Sequence, residues 1–405
     1  MTDAAAARTV WDLVVVGAGP AGAAAALAAR RARPEARVLL VDRTDFPRDK
    51  PCGDGVAPHA LDVLAELGVT GVTGGHPPVS RLRLGYAGTG DRPAREVAGE
   101  MARPAHVVPR EVLDARLVAA AVGSGAEWLR ATAGDVRVRP AADGSRAAVT
   151  AGGRDLAARC VVVADGANGT LRRALGLAGN GDGHTAVAIR GYAPVRPDLA
   201  GEQRIVFAAR DWPAYAWSFP VGDGTANVGY GEVLRGGRRL TRARLLDGLE
   251  RLLPGAAAGA GRWRAHHLPL SSRRPRQPDG PVLLAGDAAS LINPMTGEGI
   301  YYAVLSGSLA GRAAVTAADP GTVYRGELRQ RLGRHLRHTA VAATLARVPG
   351  VVRAGVTAAR RDRRVFDDLV ELGLGEGLLT HRSVVGMARS LPDRGRGRRS
   401  SDRAR

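Results

Sequence analysis

Cysteine is nearly absent from this chain of 405 residues, which contains only Cys52 and Cys160. Two cysteines form one bridge at most, which excludes a small disulfide scaffold and predicts a cytoplasmic protein with reduced thiols. No Cys and His residues have the spacing of a zinc site, so we predict no bound metal. With 45% apolar residues, the chain is long enough for two or three structural units with a sizeable core.

Long apolar runs are also scarce, and only one stretch approaches the length of a membrane span. Residues 13–29 carry no charge and lie where a signal peptide would lie. However, the stretch starts with a β-branched run, continues with Gly17 to Pro20, which cannot extend a helix, and ends in helix-forming alanines. We therefore predict a strand, a tight turn and a helix, in a soluble or peripheral protein.

Acidic residues are outnumbered by basic ones, 39 to 58, and Lys50 is the only lysine. Residues 389–405 contain seven arginines and two aspartates and too few apolar residues to fold alone, which predicts a basic, disordered tail. Such a tail is either a solvating extension or a peripheral contact with the anionic inner face of the membrane. We predict no nucleic-acid partner, because that would leave the motifs described next unexplained.

A glycine-rich motif occupies the predicted turn. The run from Gly17 to Gly22 follows the strand and opens the helix, and a second apolar strand, residues 36–41, ends at Asp42. Such glycines let the backbone approach a pyrophosphate at a helix N-terminus, while the carboxylate accepts hydrogen bonds from ribose hydroxyls. A turn that serves only packing is the alternative. The residues predicted to bind a dinucleotide here are Gly17, Gly19, Pro20, Ala21, Gly22, Asp42 and the adjacent Arg43.

Two later strands also end in a carboxylate. Residues 160–164 precede Asp165, and residues 281–285 precede Gly286 and Asp287. Ligands of open α/β sheets bind at the carboxyl ends of the strands. Because these two ends lie far along the chain from the glycine motif, we predict one long ligand held by distant segments, which favours FAD over a nicotinamide dinucleotide.

Three further motifs resemble the geranylgeranyl reductase family of FAD-dependent oxidoreductases, whose FAD-binding fold is of the aromatic-hydroxylase type. The motifs are Lys50-Pro51-Cys52-Gly53-Asp54-Gly55, Tyr215-Ala216-Trp217-Ser218-Phe219-Pro220, and the segment from Gly286-Asp287 to Gly297-Glu298-Gly299-Ile300. The resemblance implies that Asp287 contacts the ribityl chain of the flavin and that Cys52 and Gly53 lie near its ring. It also implies that Gly297, Gly299 and Ile300 place backbone beside the ring at a helix N-terminus.

Other residues of the implied site have alternatives. Arg110 opens a predicted helix and approaches the cofactor in the family, although a solvated arginine is the alternative. Lys50 could lower the pKa of the Cys52 thiol. The side chains of Tyr215, Trp217 and Phe219 alternate along a predicted strand and so share one face, which suits an apolar wall for an isoprenoid substrate. Ordinary sheet core is the alternative.

The pattern predicts an α/β fold in which an FAD-binding Rossmann-type domain is interleaved with a β-sheet substrate domain and followed by C-terminal helices. The predicted parts are residues 1–75, 102–180 and 275–320 for FAD, 76–101 and 181–274 for the substrate sheet, 321–388 for the helices and 389–405 for the tail. His335 and His338 lie one turn apart beside arginines, which favours a solvated or phosphate-facing helix surface over a metal site.

The activity that the resemblance implies is reduction of isolated C=C bonds in an isoprenoid or polyprenyl substrate, such as a geranylgeranyl lipid, a diphosphate or a menaquinone side chain. Reduced flavin supplies the hydride, and Cys52 and Tyr215 are the candidate proton donors. The expected external reductant is NAD(P)H or ferredoxin. The alternative is an FAD-dependent monooxygenase or halogenase acting on an aromatic or terpenoid natural product, for which Lys50 is the only lysine the chain offers.

Overall fold

The computed structural model describes residues 10–89, 93–210, 213–237, 239–348 and 350–391. The strands in these ranges are β1 (Trp11–Val16), β2 (Val38–Asp42), β3 (Gly55–Val56), β4 (Pro78–Tyr86), β5 (Arg95–Val107), β6 (Glu127–Arg130), β7 (Ala133–Val138), β8 (Ala147–Ala151), β9 (Arg154–Val163), β10 (Thr185–Pro194), β11 (Glu202–Phe207), β12 (Ala214–Pro220), β13 (Thr225–Val233), β14 (Arg264–Pro269) and β15 (Val282–Leu284). The helices are α1 (Pro20–Ala32), α2 (Pro58–Glu66), α3 (Arg110–Gly123), α4 (Leu171–Ala174), α5 (Arg242–Leu252), α6 (Ile300–Thr316), α7 (Pro320–Leu345), α8 (Val351–Arg361), α9 (Arg363–Leu374) and α10 (His381–Ser390).

The first sheet has the strand order β6-β2-β1-β9-β8-β7, with β15 beside β9. Strands β6, β2, β1, β9 and β15 run parallel, whereas β7 and β8 are antiparallel additions. The parallel centre consists of buried Val and Leu runs, as expected for strands that helices cover on both faces. The carboxyl ends of β1, β2, β9 and β15 therefore meet at one edge of the sheet.

Helices α1 and α6 pack directly on each other beside this sheet. A Cβ at Gly307 would clash with the carbonyl of Ala21, and a Cβ at Gly311 would clash with that of Ala25. Only glycine permits this backbone approach. Because the residue numbers of these two contacts increase together along α1 and α6, the helices run in the same direction. Their N-termini lie at the edge where the strands end.

The second sheet has the strand order β14-β10-β13-β12-β11-β4-β5-β3. All its pairs are antiparallel except β11 with β4. Leu245 and Leu249 of α5 share a core with Val228 and Tyr230 of β13. Helices α8 and α9 pack in a separate core with β4, β5 and Trp217, so the sheet is covered on both sides.

The predicted fold class is confirmed: a Rossmann-type sheet, a second sheet and C-terminal helices are all present. The division into domains stays a prediction, and β5 crosses the predicted boundary at residue 101 because it pairs with β4 as far as His106. One helix, α5, lies in the range predicted as sheet. Within the described ranges no helix has both the length and the apolarity to cross a membrane, and those residues contain no cluster of three potential metal ligands.

The predicted solvated surface at His335 and His338 is wrong. His335 is 1% exposed, and its ring nitrogens lie 2.7 Å from the Tyr302 hydroxyl and 2.6 Å from the carbonyl of Gly377. The backbone N–H of Leu379 donates to Nδ1 of His338. Both histidines thus join α7 to the chain around α9 and α10. Of the predicted tail, Arg389 and Ser390 end α10, and residues 392–405 lie outside the described residues.

Candidate active site

A cavity of about 160 Å³ lies between the two sheets. Segments that are distant in the sequence line this cavity: the turn after β1, the loop before β3, strands β10, β12 and β14, and the segment between β15 and α6. The predicted site residues in this wall are Gly19, Pro20, Ala21, Cys52, Gly53, Arg110, Tyr215, Trp217, Phe219, Asp287, Gly297, Gly299 and Ile300. Those behind or beside it are Gly17, Gly22, Asp42, Arg43, Asp165 and Gly286.

The glycine turn after β1 is shaped by close backbone packing. Gly17 has φ +96°, and a Cβ there would clash with the carbonyl of Ala164. A Cβ at Gly22 would clash with the carbonyl of Gly17. The carboxylate of Asp42 accepts from the N–H of Ala18 at 2.8 Å. Asp42 therefore fastens the turn to the end of β2, and no side chain of the described residues caps the N-terminus of α1 by a hydrogen bond.

Two guanidinium groups reach the open side of this turn. A Cβ on Gly19 would lie 3.6 Å from Nη2 of Arg110 and 3.8 Å from Nη2 of Arg48. Arg110 is 4% exposed and pairs with Asp114 through two contacts of 2.7 and 2.8 Å. Burial alone would lower the pKa of Arg110, but Asp114 raises it above the ordinary value. The solvated alternative for Arg110 is thus wrong, and Arg48, not the exposed Arg43, faces the turn.

Asp165 organises the turn that follows β9. One carboxyl oxygen accepts from the N–H of Leu171 at 3.1 Å, and a Cβ at Gly169 would overlap the carboxyl group. Burial raises the pKa of Asp165. Its Oδ1 is buried without a hydrogen-bond partner among the described residues. Asp165 is not among the residues that line the cavity.

Asp287 lies near two basic residues, Lys50 and His266. Its Oδ2 is 3.3 Å from Nζ of Lys50, the only lysine in the chain. Burial would raise the pKa of Asp287, but Lys50 and His266 more than offset it and hold the pKa below the ordinary value. Burial and Lys50 together lower the pKa of His266 to about 4. At neutral pH the cavity therefore contains an ionised Asp287 beside a neutral imidazole.

Glu298 changes the expected helix N-terminus. Its Oε1 accepts from the N–H of Tyr301 at 2.8 Å, so the first turn of α6 is capped by a carboxyl group. Burial raises the pKa of Glu298 to about 7, although the backbone N–H groups of Tyr301, Ile300 and Gly299 oppose the shift. Sequence reasoning missed this half-buried acid, which lies in the cavity wall.

The loop that carries Cys52 is held by buried hydrogen bonds. Asn227, which is fully buried, donates to the carbonyl of Cys52 at 2.8 Å and to Asp54 at 2.7 Å. Asp54 also accepts from the Tyr192 hydroxyl and has φ +61°. Burial raises the pKa of the Cys52 thiol, and the nearby cations Arg110 and Lys50 do not overcome it. Lys50 lowers the pKa of this thiol as predicted, but burial outweighs it, so Cys52 is a protonated thiol at neutral pH.

Acidic residues of this loop connect it to the second sheet. Asp49 pairs with Arg190 of β10 and with Arg264 of β14, the latter at 2.9 Å. Burial raises the pKa of Asp54 to about 6, and its Oδ1 has no partner among the described residues. Like Glu298, Asp54 is a cavity acid that titrates near neutral pH.

The three aromatic residues of β12 line one side of the cavity. The Trp217 ring centroid lies 5.8 Å from that of Tyr215 and 6.4 Å from that of Phe219, as the strand alternation predicts. Trp217 donates from Nε1 to Oδ1 of Asn227 at 2.8 Å. A Cβ at Gly229 would clash with the Trp217 ring. The wall is thus packed from behind and hydrogen-bonded to the Cys52 loop.

These residues fit FAD. The turn after β1 leaves the α1 N-terminus open for a diphosphate, with Arg48 and Arg110 to balance its charge. Asp287, which lines the cavity, has a carboxylate that can accept from ribityl hydroxyls. A Cβ at Gly297 would lie 2.6 Å from the Tyr215 hydroxyl, so only glycine keeps this face of the cavity flat.

A family model described as an FAD binding domain matches residues 11–308. The chain belongs to the FAD binding domain family. It is therefore an FAD-dependent oxidoreductase, and the prediction of FAD over a nicotinamide dinucleotide is confirmed.

Relatives that are named reductases support membership of the same family. The chain is 34% identical over 342 residues to a menaquinone reductase of Mycobacterium tuberculosis, covering 80% of this chain and 81% of that protein. It is 31% identical over 324 residues to digeranylgeranylglycerophospholipid reductase 2 of Methanopyrus kandleri, covering 76% and 78%. The predicted membership of the geranylgeranyl reductase family is confirmed.

A solved structure shares the whole fold. It is a geranylgeranyl bacteriochlorophyll reductase-like protein from Thermoplasma acidophilum, with a TM-score of 0.77 at 20% identity. The match covers 95% of this chain and 98% of that one. Both sheets and the C-terminal helices therefore belong to a single known arrangement.

Proposed function

We propose that this flavoprotein reduces isolated C=C bonds in an isoprenoid or polyprenyl substrate, such as a geranylgeranyl lipid, a geranylgeranyl diphosphate or a menaquinone side chain. The observation that carries the proposal is the aromatic wall of Tyr215, Trp217 and Phe219. This wall lines the same cavity as Cys52 and the glycine backbone at 297–299. The names of the relatives, which act on menaquinone and on digeranylgeranylglycerophospholipid, agree with it.

The proposed cofactor contacts follow from the geometry. The diphosphate and adenosine part of FAD binds at the turn Gly17–Gly22 and Asp42. The ribityl and ribose hydroxyls bind at Gly286, Asp287 and Asp165. Arg110 and Arg48 supply charge beside the diphosphate, and Arg43 stays a predicted contact of the dinucleotide. The external reductant, NAD(P)H or ferredoxin, stays a prediction.

The chemistry needs a hydride and a proton on adjacent carbons. FAD, when bound and reduced, supplies the hydride. We propose Cys52 as the proton donor, because its thiol is enclosed, protonated and in the cavity wall. Tyr215 is the less suitable donor, since its hydroxyl already donates to the carbonyl of Thr296. Enclosure by apolar groups excludes water, which would otherwise compete for a carbocation-like carbon.

Monooxygenase or halogenase chemistry is the alternative that shares this fold. Lys50, the only lysine available for a halogenase role, is paired with Asp287 and is not directed to the aromatic wall. This pairing favours the reductase. Oxygen consumption coupled to a hydroxylated or halogenated product would establish the alternative.

The deciding experiment is anaerobic incubation of dithionite-reduced protein with a panel of polyprenyl substrates. We expect a mass increase of two hydrogens for each bond reduced, with no dependence on oxygen. Protein from which FAD has been removed is the control. Failure to reduce any polyprenyl substrate, with FAD bound and reduced, would refute the proposal.

We also propose that the protein is cytoplasmic and that its basic C-terminal segment binds the anionic inner face of the membrane. Each arginine near an anionic leaflet contributes about 1 kcal/mol before screening. Deletion of residues 392–405 should weaken binding to anionic vesicles at low salt while activity on detergent-dispersed substrate is retained. Unchanged vesicle binding across a salt titration would leave the segment as a solubilising extension.

A further inference from the structure

A second chamber lies beside the candidate active site. Its volume is about 110 Å³, and its wall is apolar side chains of β4, β11, α7, α8, α9 and the chain around α10. The two spaces share four lining residues, Leu82, Ile205, Thr296 and Leu374. A single layer of side chains therefore separates the chamber from the cavity.

The end of α7 forms one edge of the chamber mouth. Leu345 lines the chamber and is also 42% exposed, so it stands where the chamber meets the surface. Val341 lies one helical turn earlier and is 52% exposed, and Val348, in the turn after the helix, is 43% exposed. Residues at these spacings share one face. This face is an exposed apolar stripe.

Helix α10 forms a second edge in the same way. Met387 lines the chamber. Val384, three residues before Met387, is 45% exposed, and Leu391, four residues after it, is 41% exposed. Two exposed apolar stripes thus flank the mouth of one apolar chamber, whereas exposed apolar side chains on a soluble surface are usually single.

The surface around these stripes is basic. Residues 328–361 include eight arginines and no Asp or Glu, and residues 381–391 include two arginines and no Asp or Glu. Arg337, Arg347, Arg382 and Arg389 are all exposed. Apolar side chains surrounded by arginines match the headgroup region of an anionic bilayer, where apolar groups enter and guanidinium groups meet phosphates.

We infer that the surface formed by the second half of α7, α8 and α10 docks on an anionic lipid bilayer and opens the second chamber to it. A polyprenyl chain then passes from the membrane toward the active site without crossing water. The inference rests on the proposed function for its substrate, but the docking itself is measured without turnover. It commits to lipid and not to a protein partner because an apolar chamber opens at the centre of the surface.

The test compares two double variants of the full-length FAD-bound protein. Val341→Gln with Val384→Gln removes apolar contacts from the surface, and neither residue lines a cavity. Val122→Gln with Val138→Gln is the matched control, since these valines are 42% and 54% exposed elsewhere. Cosedimentation is measured with vesicles of phosphatidylcholine alone or mixed with phosphatidylglycerol.

We expect the surface variant to lose about tenfold in partitioning to anionic vesicles, from the apolar area that no longer enters the bilayer. The control variant should bind as the wild type does, and both should reduce detergent-dispersed substrate at the wild-type rate. Equal vesicle binding by surface variant and wild type overturns the inference. So does a wild-type dimer that only the surface variant dissociates, because a second copy would then cover this surface. Absence of turnover in detergent by the wild type refutes the proposed function instead.

Discussion

Replacing Asp287 tests whether its carboxylate holds FAD. The side chain lies in the cavity wall, and its Oδ2 is already paired with Lys50 at 3.3 Å. Oδ1 is on the side of Gly299, where it can accept from a ribityl hydroxyl. A hydrogen bond to a charged group is worth about 1.5 to 3 kcal/mol, so Asp287→Ala should raise the Kd for FAD about 10- to 150-fold.

Two further variants separate charge from hydrogen bonding. Asp287→Asn keeps an acceptor oxygen without the charge, and a neutral hydrogen bond of about 0.5 to 1.5 kcal/mol predicts a smaller loss than Asp287→Ala gives. Lys50→Met keeps the carboxylate but removes the nearest cation opposing burial, so the pKa of Asp287 rises. Because a protonated carboxyl group is the weaker acceptor, FAD affinity in Lys50→Met should fall as the pH is lowered. The wild type should show no such fall in the same range, since its Asp287 pKa lies below the ordinary value.

The assay is titration of apoprotein with FAD, followed by quenching of flavin fluorescence. Asp279→Ala, at an exposed carboxylate paired with Arg276 and Arg325, is the control for loss of an acidic residue and should bind FAD as the wild type does. Asp287→Ala binding FAD within twofold of the wild type would remove Asp287 from the site and refute the reasoning.

Three other predictions concern the cavity wall. Trp217→Phe should lower kcat/KM for long prenyl substrates and leave the FAD content, measured by absorbance, unchanged. Loss of FAD would instead indicate damage to the Cys52 loop through Asn227. Cys52→Ala should lower turnover by about 100- to 10,000-fold with bound FAD retained, and equal rates in Cys52→Ala and wild type would exclude the thiol as donor. The Glu298 pKa of about 7 lies above its ordinary 4.5, so the folded state binds the extra proton and wild-type stability falls as the pH rises through this window. In the wild type, the free energy of unfolding measured with urea should fall by about 3 kcal/mol as the pH rises from below 4.5 to above 7. Glu298→Gln should abolish this fall, and the same pH dependence of unfolding in variant and wild type would contradict the prediction.

The parts of the site that sequence predicts well are those set by local rules. From residue 13 to 29, the β-branched run favours a strand, the glycines permit a tight turn and the alanines favour a helix, and the observed elements follow. The side-chain alternation of Tyr215, Trp217 and Phe219 follows from the twofold repeat of any strand. These features need no knowledge of tertiary neighbours.

Residues that depend on tertiary neighbours were missed or misjudged. Arg48 was not predicted from the sequence, because only the course of the loop after β2 brings it to the glycine turn. The thiol of Cys52 lies beside Lys50 in sequence, but that ammonium group is committed to Asp287, 237 residues later. His335 likewise is buried through a contact with Gly377, which lies beyond the next two helices of the chain.

The Cys52 loop explains how two sheets can form one reaction site. Its acids bind the second sheet, Asp49 through Arg190 and Arg264 and Asp54 through Asn227. Its single lysine binds the loop after β15 on the first sheet. Groups of opposite charge removed from water are costly to separate, so the loop keeps a fixed position relative to both sheets. Because Asn227 also holds Trp217, the proposed proton donor and substrate wall share one support, and disturbance of either side displaces the thiol from the cofactor.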